Sequence, residues 1–554
     1  MLAIVEVFRV QKIKLTMKKN YIFLFLLITS AGFSQQDAWV YFNAKPNSQS
    51  FSDSPLKMLS QRALERRTNQ NIALDFKDIP VESSYITQVK ATAGIMVMAK
   101  SKWMNAVHVR GSQANINALV LLSFVSKVDF ADKSLNQTAR IAKQSKIEKV
   151  NKTKKTKIDY AYGSSSNQIQ MLNGHKLHQQ NFTGSGKIIA VMDAGFPGVN
   201  TAQPFERLIT NNRILGGYNF VLRNPNVYNG DSHGTLVLSS MGGYKENSLV
   251  GTAPDASYYL FITEDTTSEN PVEESLWVEA AERADSLGVD IINTSLGYFD
   301  FDNAAYNHTY SQMNGTTAFM SRGAEIAFSR GMIIVTSAGN SGGTANPYIA
   351  VPADAVSVIA VGAVNSSKTV TNFSSVGPSF DLRIKPDVMA QGQAAVVSDA
   401  AGNIVTANGT SFSSPIMAGM IACLWQAFPL KTNREIRELV LKSSDRFLAP
   451  NNQYGFGIPD FALAVSNQLV TESNTNDDFV VYPNPASDTI SFSLPAKFSN
   501  GILSIYTILG QKVLVQNITP QASIVSLKSL TEGLYLYKME SDGFSKTGKI
   551  IKKL

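Results

Sequence analysis

The segment 186–192 is the feature that most constrains the fold of this chain. It is a mostly apolar run that ends at Asp193. A strand without alternation of polar and apolar residues is typical of a parallel sheet that is buried on both faces. Similar runs at 289–293 and 331–337 are separated by helix-like segments. Repeated strand–helix units over residues 160–466 therefore predict an α/β domain, with a parallel sheet and helices on both faces.

Three short segments present an acid, a base and a hydroxyl in the order Asp193, His233 and Ser411. Each is flanked by small residues that leave room for a substrate backbone. A serine hydroxyl is a weak nucleophile at neutral pH and needs a base, and the base needs an anion that fixes its tautomer. If these residues converge, the chain hydrolyses acyl bonds. Taken singly, Asp193 is equally a turn residue, His233 a structural histidine and Ser411 a helix cap.

In their order and context, the three segments resemble those of the subtilisin-like serine peptidases. Two further segments carry the resemblance: Asn-Thr-Ser-Leu-Gly at 293–297, which ends a strand, and Ser-Ala-Gly-Asn at 337–340. The resemblance covers residues 160–466. Ala194 departs from it, because the family usually has Thr or Ser after the aspartate. We expect this departure to alter the fine geometry of the acid without removing a catalytic group.

The resemblance implies a role for each site residue. Ser411 is the nucleophile, His233 the general base and Asp193 the acid that orients the base. The side chain of Asn340 and the backbone N–H of Ser411 are the donors of the oxyanion hole, although an Asn after a Gly is equally a turn residue. The residues expected to bind an extended substrate as an added strand are Ser295, Leu296, Gly297, Ala338 and Gly339.

This chemistry requires no cofactor, and no metal ligand is assigned. Members of the resembled family often carry structural calcium, but no ligand loop is identifiable in this sequence. The expected partners are protein or peptide substrates.

The net charge of +7 is unevenly distributed along the chain. The segment 141–158 holds seven Lys and one Glu, and the last nine residues hold four Lys. In contrast, residues 159–475 hold 17 Lys or Arg against 27 Asp or Glu. Because no basic patch with interleaved aromatic residues is present, we exclude nucleic-acid binding. Cys423 is the only cysteine, so no intramolecular disulfide forms, and its apolar context predicts a buried, inert thiol.

Residues 1–35 are predicted to be a signal peptide region. Met17 is followed by two lysines, and residues 21–31 are an apolar run that is too short to span a bilayer. Met17 is the expected start, and the alternative is an extended basic region that begins at Met1. Elsewhere the sequence has no run long enough for a membrane helix, so we expect a secreted or cell-surface protein.

Residues 36–140 mix strand-like runs at 38–42, 94–99 and 124–130 with a polar helix that includes 62–67, and they contain no catalytic constellation. Their position resembles that of the small α+β inhibitory propeptide of the family, which implies that the enzyme is made as a zymogen. Such a segment assists the slow folding of a parallel sheet and fills the cleft. The alternative is an N-terminal accessory domain. The Lys-rich segment 141–159 is predicted to be an exposed linker that is open to proteolysis.

Residues 467–478 are a polar linker. Over 479–554, a small all-β sandwich is predicted by six short strand-like segments, at 479–482, 489–494, 502–508, 512–515, 524–527 and 533–539. Val-Tyr-Pro-Asn-Pro-Ala at 481–486, Ile-Leu-Gly-Gln at 508–511 and Gly-Leu-Tyr at 533–535 resemble the C-terminal sorting domain of the type IX secretion system. The resemblance implies that secretion machinery binds this domain and exports the chain across an outer membrane. The alternative is a sandwich that binds carbohydrate or protein.

Eleven acidic residues lie between Glu264 and Asp302, with Arg283 as the only Lys or Arg among them. Such a run is typical of a solvated face. The alternatives are that it favours basic substrate side chains in the cleft or binds a structural cation.

Two rival functions remain beside the leading prediction, which is a secreted serine endopeptidase. Gly-Asp-Ser-His-Gly at 230–234 matches the nucleophile elbow of esterases, with Ser232 as nucleophile, but a polar loop at 223–229 stands where that elbow needs a buried strand. The second rival is a catalytically inactive surface or adhesion protein. The presence of all three triad residues together with Asn340 argues against it.

Overall fold

The computed structural model describes residues 35–136, 160–466, 480–493, 500–519, 524–541 and 544–553. The predicted signal segment up to residue 34 and both predicted linkers lie outside the described residues. The chain divides into two compact units, Met1–Ala462 and Leu463–Leu554, which are described separately.

The N-terminal part of the first unit is an antiparallel four-stranded sheet with short helices. Its strands are β1 (Gln35–Phe42), β2 (Ile95–Ser101), β3 (Ala106–Ser112) and β4 (Val125–Phe130), and its helices are α1 (Ser48–Ser52), α2 (Gln61–Asn69), α3 (Ser83–Ala91) and α4 (Gln113–Ala118). The strand order is β2-β3-β1-β4. The apolar pattern predicts β1, β2 and β4 but misses β3, which carries the polar residues His108 and Arg110.

Strand β1 is buried on both of its faces. Val40 and Phe42 join a core formed with this region's own helices. The alternating residues Trp39 and Tyr41 instead join the large core of the following α/β region. The N-terminal sheet therefore packs directly onto the α/β region through one face, as period-2 alternation in a strand allows.

Residues 160–466 contain the predicted parallel sheet, with seven strands in the order β13-β12-β11-β10-β5-β9-β6. The strands of this region are β5 (Ile188–Asp193), β6 (Ile214–Asn219), β7 (Tyr244–Lys245), β8 (Leu249–Val250), β9 (Ser257–Ile262), β10 (Ile291–Thr294), β11 (Ile333–Ser337), β12 (Ile359–Val364), β13 (Val388–Gln391), β14 (Ala395–Ser398) and β15 (Ile404–Ala407). Every residue of β5 is buried. The sequence therefore predicts this fold class correctly.

Helices cover both faces of this sheet. They are α5 (Ser166–Gln170), α6 (His175–His178), α7 (Glu206–Thr210), α8 (His233–Gly242), α9 (Val272–Leu287), α10 (Phe319–Ser329), α11 (Thr410–Ala427) and α12 (Asn433–Lys442). Ala190 and Met192 of β5 share one core with α9 and α10. Helices α8 and α11 pack against each other and against the sheet. The apolar stripe of α9 and its left-handed C-cap at Gly288 (φ 81°) match the sequence pattern.

The second unit is an all-β sandwich of two antiparallel sheets. Its strands are β16 (Val480–Tyr482), β17 (Thr489–Ser493), β18 (Gly501–Thr507), β19 (Lys512–Ile518), β20 (Ile524–Ser526), β21 (Gly533–Ser541) and β22 (Phe544–Lys552). The sheet orders are β16-β17-β20 and β19-β18-β21-β22. The pattern predicts the first six strands and misses β22, an edge strand that carries three lysines. Lysine protects an exposed edge from further pairing, which also removes the apolar signal.

Helix α11 buries the single cysteine. The Cys423 thiol is fully buried and donates to the carbonyl of Thr252 at 3.1 Å. Burial raises the pKa of Cys423 well above its ordinary value. The prediction of an inert thiol is confirmed. Within the described ranges, no helix has the length and apolarity to cross a membrane.

Candidate active site

The three predicted catalytic side chains lie on three different elements of the first unit. Asp193 is the last residue of β5, His233 is the first residue of α8, and Ser411 is in the first turn of α11. Parallel strands bring their carboxyl ends to one edge of the sheet, and helices begin at the same edge. The fold therefore gathers these elements where a ligand binds in an open α/β sheet.

Asp193 and His233 form a direct hydrogen bond. The distance from His233 Nδ1 to Asp193 Oδ1 is 2.7 Å, and the same oxygen accepts the backbone N–H of Ala194 at 2.9 Å. The aspartate side chain is fully buried, whereas 31% of the histidine side chain is exposed. The charge of Asp193 is the main cause that raises the pKa of His233 to about 9. With Nδ1–H donating to the carboxylate, Nε2 remains free to accept a proton.

Ser411 lies beside the end of β10. Its hydroxyl donates to the carbonyl of Ser295 at 3.3 Å, and the Ser295 hydroxyl donates to the carbonyl of Ser411 at 2.9 Å. No hydrogen bond within the described part of the chain joins Ser411 to His233. The His233 ring is 5.9 Å from the ring of Phe412, the residue that follows the serine. Such bonds are often long in an unliganded site and tighten when the substrate binds.

Thr410, which the sequence pattern does not mark as a site residue, orients Asn340. The Oδ1 of Asn340 accepts the backbone N–H and the hydroxyl of Thr410, at 2.9 and 3.0 Å. This fixes the amide so that Nδ2 is the free donor, because it has no partner among the described residues. A Cβ at Gly409, where φ is 148°, would lie 3.6 Å from that nitrogen. The sequence shows Thr410 only as part of the Gly-Thr pair ahead of Ser411. Its role in orienting Asn340 depends on a hydrogen bond between residues 70 positions apart, which the sequence alone does not reveal.

The predicted substrate-binding segments follow two neighbouring strands. Strands β10 and β11 pair in parallel, so Ser295–Gly297 and Ala338–Gly339 leave the sheet side by side. Gly339 has a φ of 105°, and a Cβ there would lie 2.8 Å from the Ser375 hydroxyl. Leu296 is largely buried and Gly297 is exposed. The exposed backbone at this edge is suited to pairing with an extended peptide.

Two carboxylate oxygens, one within the Asp193–His233 dyad and one near it, have no hydrogen-bond partner in the described residues. They are Oδ2 of Asp193 and Oε2 of Glu264, and both atoms are buried. Ala194 has no hydroxyl that could reach the first of these oxygens. Burial and the charge of Asp193 raise the pKa of Glu264 to about 7. Over the described ranges, no group of three or more His, Cys, Asp or Glu is arranged to hold a metal ion.

Ser232, the nucleophile of the esterase alternative, and the buried His178 have surroundings that are typical of structural residues. Ser232 is an exposed loop residue directly before α8, and no buried strand precedes it, so the esterase elbow lacks its structural context. His178 is fully buried, with its ring bonded to the hydroxyl of Tyr162 at 2.8 Å and to the carbonyl of Thr252 at 3.0 Å. Burial lowers the pKa of His178 to about 4.

The expectation of a solvated acidic face over residues 264–302 is wrong for five of the eleven residues. The buried members are Glu273, Glu274, Glu282, Asp285 and Asp290. Asp285 pairs with Arg66 and Arg67 of α2, and Glu282 accepts hydrogen bonds from the chain at 101–103. Glu282, Asp285 and Asp290 are covered by the N-terminal region. Glu274 instead pairs with His308, and Glu273 accepts backbone N–H groups of its own segment.

Sequence comparison assigns each part of the chain. Residues 184–457 match the Subtilase family, residues 37–150 match the peptidase S8 propeptide domain of Bacteroidota, and residues 480–553 match the secretion system C-terminal sorting domain. Subtilisin from Bacillus pumilus is 30% identical over 293 residues, which cover 52% of this chain and 94% of that protein. The chain therefore belongs to the subtilase family.

Two further comparisons cover 68% and 54% of this chain. Subtilisin NAT from Bacillus subtilis subsp. natto is 28% identical over 380 residues, covering 68% of this chain and 89% of that protein. The crystal structure of MycP1 with its N-terminal propeptide removed is 22% identical, with a TM-score of 0.43, and the match covers 54% of this chain and 96% of that one.

These matches define the class of enzyme and its export. The chain is a subtilisin-like serine peptidase with a propeptide, and its sorting domain directs export by type IX secretion. The predictions of a propeptide and of a sorting domain are confirmed over the accessory-domain and ligand-binding alternatives.

Proposed function

We propose that this subtilase is an endopeptidase that cleaves peptide bonds through an acyl-enzyme intermediate. Ser411 is the nucleophile, His233 the general base and Asp193 the orienting acid. The observation that carries the proposal is the 2.7 Å hydrogen bond between His233 Nδ1 and the buried Asp193, at the sheet edge where Ser411 lies in the first turn of α11.

The first half of the reaction forms an ester. His233 Nε2 takes the proton of the Ser411 hydroxyl as its oxygen attacks the substrate carbonyl carbon. The carbonyl oxygen becomes an oxyanion, which accepts hydrogen bonds from Asn340 Nδ2 and from the Ser411 backbone N–H at the start of a helix. The imidazolium then gives its proton to the leaving amine, the C–N bond breaks, and the acyl group stays on Ser411.

The second half repeats these steps with water. His233 takes a proton from the water that attacks the ester, and the oxyanion forms again in the same place. When the intermediate collapses, the proton passes to the Ser411 oxygen and the acid product leaves. Asp193 stabilises the imidazolium in both halves, without itself taking the proton.

The test is active-site labelling and peptide hydrolysis by the mature enzyme. A fluorophosphonate probe is expected to label the wild type, and Ser411→Ala should abolish labelling and lower kcat by about 10⁶-fold, the size of effect measured for the nucleophile of subtilisin. Ser232→Ala is the matched control and should retain both activities. Loss of activity in the Ser232 variant alone would support the esterase alternative. Absence of labelling in the wild type would support a catalytically inactive fold.

A further inference from the structure

Glu264 lies beside the catalytic dyad but has no part in the reaction described above. The backbone N–H of Thr263 donates to the carbonyl of Asp193 at 3.1 Å, which extends the pairing of β9 with β5 past the end of both strands. Glu264 is the next residue, so it leaves the sheet at the catalytic edge. The electrostatic contacts agree with this position, because the charge of Asp193 raises the pKa of Glu264 and the charge of Glu264 raises that of His233.

Three carboxylates collect in the connection between β9 and α9 and in the first turn of α9. We name Glu264, Glu269 and Glu273, together with the Tyr298 hydroxyl, the acidic pocket. Glu273 is fully buried and accepts the backbone N–H groups of Asp265 and Asn270, at 2.8 and 2.9 Å. None of the three carboxylates forms a salt bridge within the described residues. A cluster of anions without a cation is unfavourable at low dielectric.

Tyr298 is an independent indication that the acidic pocket binds a polar group. Only 1% of this residue is exposed, and its hydroxyl has no hydrogen-bond partner in the described part of the chain. Its pKa is raised well above the ordinary value by burial and then by the charges of Glu273 and Glu264, so the hydroxyl lies among these carboxylates. Oε2 of Glu264 is also buried and unpartnered. Buried polar atoms without partners are rare in native proteins and call for an explanation.

The pocket borders the path of the substrate. Tyr298 directly follows Ser295–Gly297, the segment proposed to pair with an extended peptide, and Glu264 is near His233. We expect a substrate side chain close to the scissile bond to approach Glu264, which is only partly buried. A metal ion is not favoured, because the described residues contain no group of three or more carboxylate or imidazole ligands with suitable geometry.

We infer that the acidic pocket binds the Lys or Arg side chain of a peptide substrate within two residues of the scissile bond, and that Glu264 is its main anionic contact. This inference rests on the proposed function. A guanidinium or ammonium group brings only donors, which match the unpartnered acceptor of Glu264. The Tyr298 hydroxyl can donate to Glu264 or Glu273 once a cation draws these carboxylates into a fixed arrangement.

The experiment compares peptides that differ only in charge. Fluorogenic peptides carry either Arg or the neutral isostere citrulline at each of the two positions on either side of the scissile bond, and the mature enzyme is assayed above pH 8, where Glu264 is ionised. At one position, kcat/KM for Arg should exceed that for citrulline at least about tenfold. Glu264→Gln should bring that ratio to about two or below.

Two further variants make the result specific. Glu438→Gln removes the same charge from an exposed site on α12, where Lys442 is the one salt-bridge partner of the carboxylate among the described residues, and should leave the ratio unchanged. Tyr298→Phe removes one buried hydroxyl and should lower the ratio about two- to fivefold. It provides the test if Glu264→Gln does not fold.

The inference is overturned if peptides are cleaved without discrimination between Arg and citrulline at any position, or if the discrimination survives both pocket variants. It is also overturned if added calcium raises the unfolding temperature of the wild type but not that of Glu264→Gln, because the pocket then holds a metal ion. Failure of the proposed function looks different: no peptide is cleaved and the fluorophosphonate probe does not react.

Discussion

The acidic run 264–302 divides into two groups with opposite surroundings. On the side covered by the propeptide, Asp285 and Asp290 have cationic partners: Asp285 pairs with Arg67 at 2.8 Å, and Asp290 pairs with Arg62 at 2.5 Å. On the catalytic side, Glu264 and Glu273 have none within the described residues. The difference shows that the propeptide supplies cations to Asp285 and Asp290, whereas no described residue supplies one to Glu264 or Glu273.

On the side covered by the propeptide, the buried charges of Asp285 and Glu282 are neutralised to different degrees. Burial alone would raise the pKa of Asp285, but the charges of Arg67, Lys102 and Arg66 hold it below its ordinary value. Glu282 accepts three hydrogen bonds from the turn between β2 and β3, from the Ser101 hydroxyl at 2.6 Å and from two backbone N–H groups at 2.9 Å. Burial raises the pKa of Glu282 more than the charge of Lys102 and these hydrogen bonds lower it, and the net result is a pKa of about 7.

The largest effect is expected from breaking the compensated pair. Asp285→Ala, made in the full-length Ser411→Ala chain so that the propeptide is not cut, leaves Arg66 and Arg67 buried beside an absent partner. We expect the free energy of unfolding to fall by about 3–5 kcal/mol, measured by urea denaturation. The control Glu438→Ala removes an exposed ion pair and should change it by about 0.5 kcal/mol or less. A loss below about 1 kcal/mol for Asp285→Ala would show that the arginine partners of Asp285 contribute no more to stability than an exposed ion pair does.

The next effect concerns the incompletely compensated Glu282. Its folded pKa of about 7 lies above the ordinary value of 4.5, so its contribution to stability is fully present below pH 4.5 and is lost as the pH rises through 7. The wild type should therefore lose about 3 kcal/mol relative to Glu282→Gln between pH 4.5 and 8, in the same inactive chain. Urea midpoints at several pH values measure this. Parallel curves for the two proteins would show that the propeptide donors compensate the charge fully.

A smaller effect is expected when one uncompensated charge is removed on the catalytic side. His233 acts as a base only when neutral, and with a pKa of about 9 its activity should rise as the pH increases through that value. Glu264 is ionised there and stabilises the imidazolium, so Glu264→Gln should move this limb of the kcat/KM profile to lower pH by about half a unit. Glu438→Gln should not move it. A limb that stays in place would mean that Glu264 and His233 are not coupled.

The smallest effect is expected at the unpartnered oxygen of Asp193. Ala194→Ser adds a hydroxyl next to the carboxylate, and a new hydrogen bond to Oδ2 would hold the acid more firmly against His233. We expect kcat/KM to rise about two- to fivefold. The measurement uses a neutral peptide, so that the acidic pocket does not contribute. An unchanged or lower kcat/KM would show that the backbone N–H of Ala194 already fixes the acid sufficiently.

Much of the fold follows from short-range patterns in the sequence. The apolar run of β5 and the stripe of α9 specify a sheet and a helix before any partner is known, since burial on both faces or on one stripe fixes the periodicity. Strands β3 and β22 escape this reasoning for a common reason. The polar side chains of β3 are stabilised by contacts with distant residues, such as the 2.8 Å hydrogen bond between His108 and Ser275. Strand β22 is an edge strand whose lysines interrupt the apolar pattern.

The sequence by itself determined the fold class and the order of the domains. It also selected Asp193, His233 and Ser411 as the candidate catalytic residues, because each lies in a local motif at a strand end or a helix start. Only the tertiary structure decided how Thr410 orients Asn340, and which carboxylates of the acidic run are neutralised. The reason is physical: the free energy of a buried charge depends on the partners and solvent around it, and for Asp285 those partners lie more than 200 residues away in the chain.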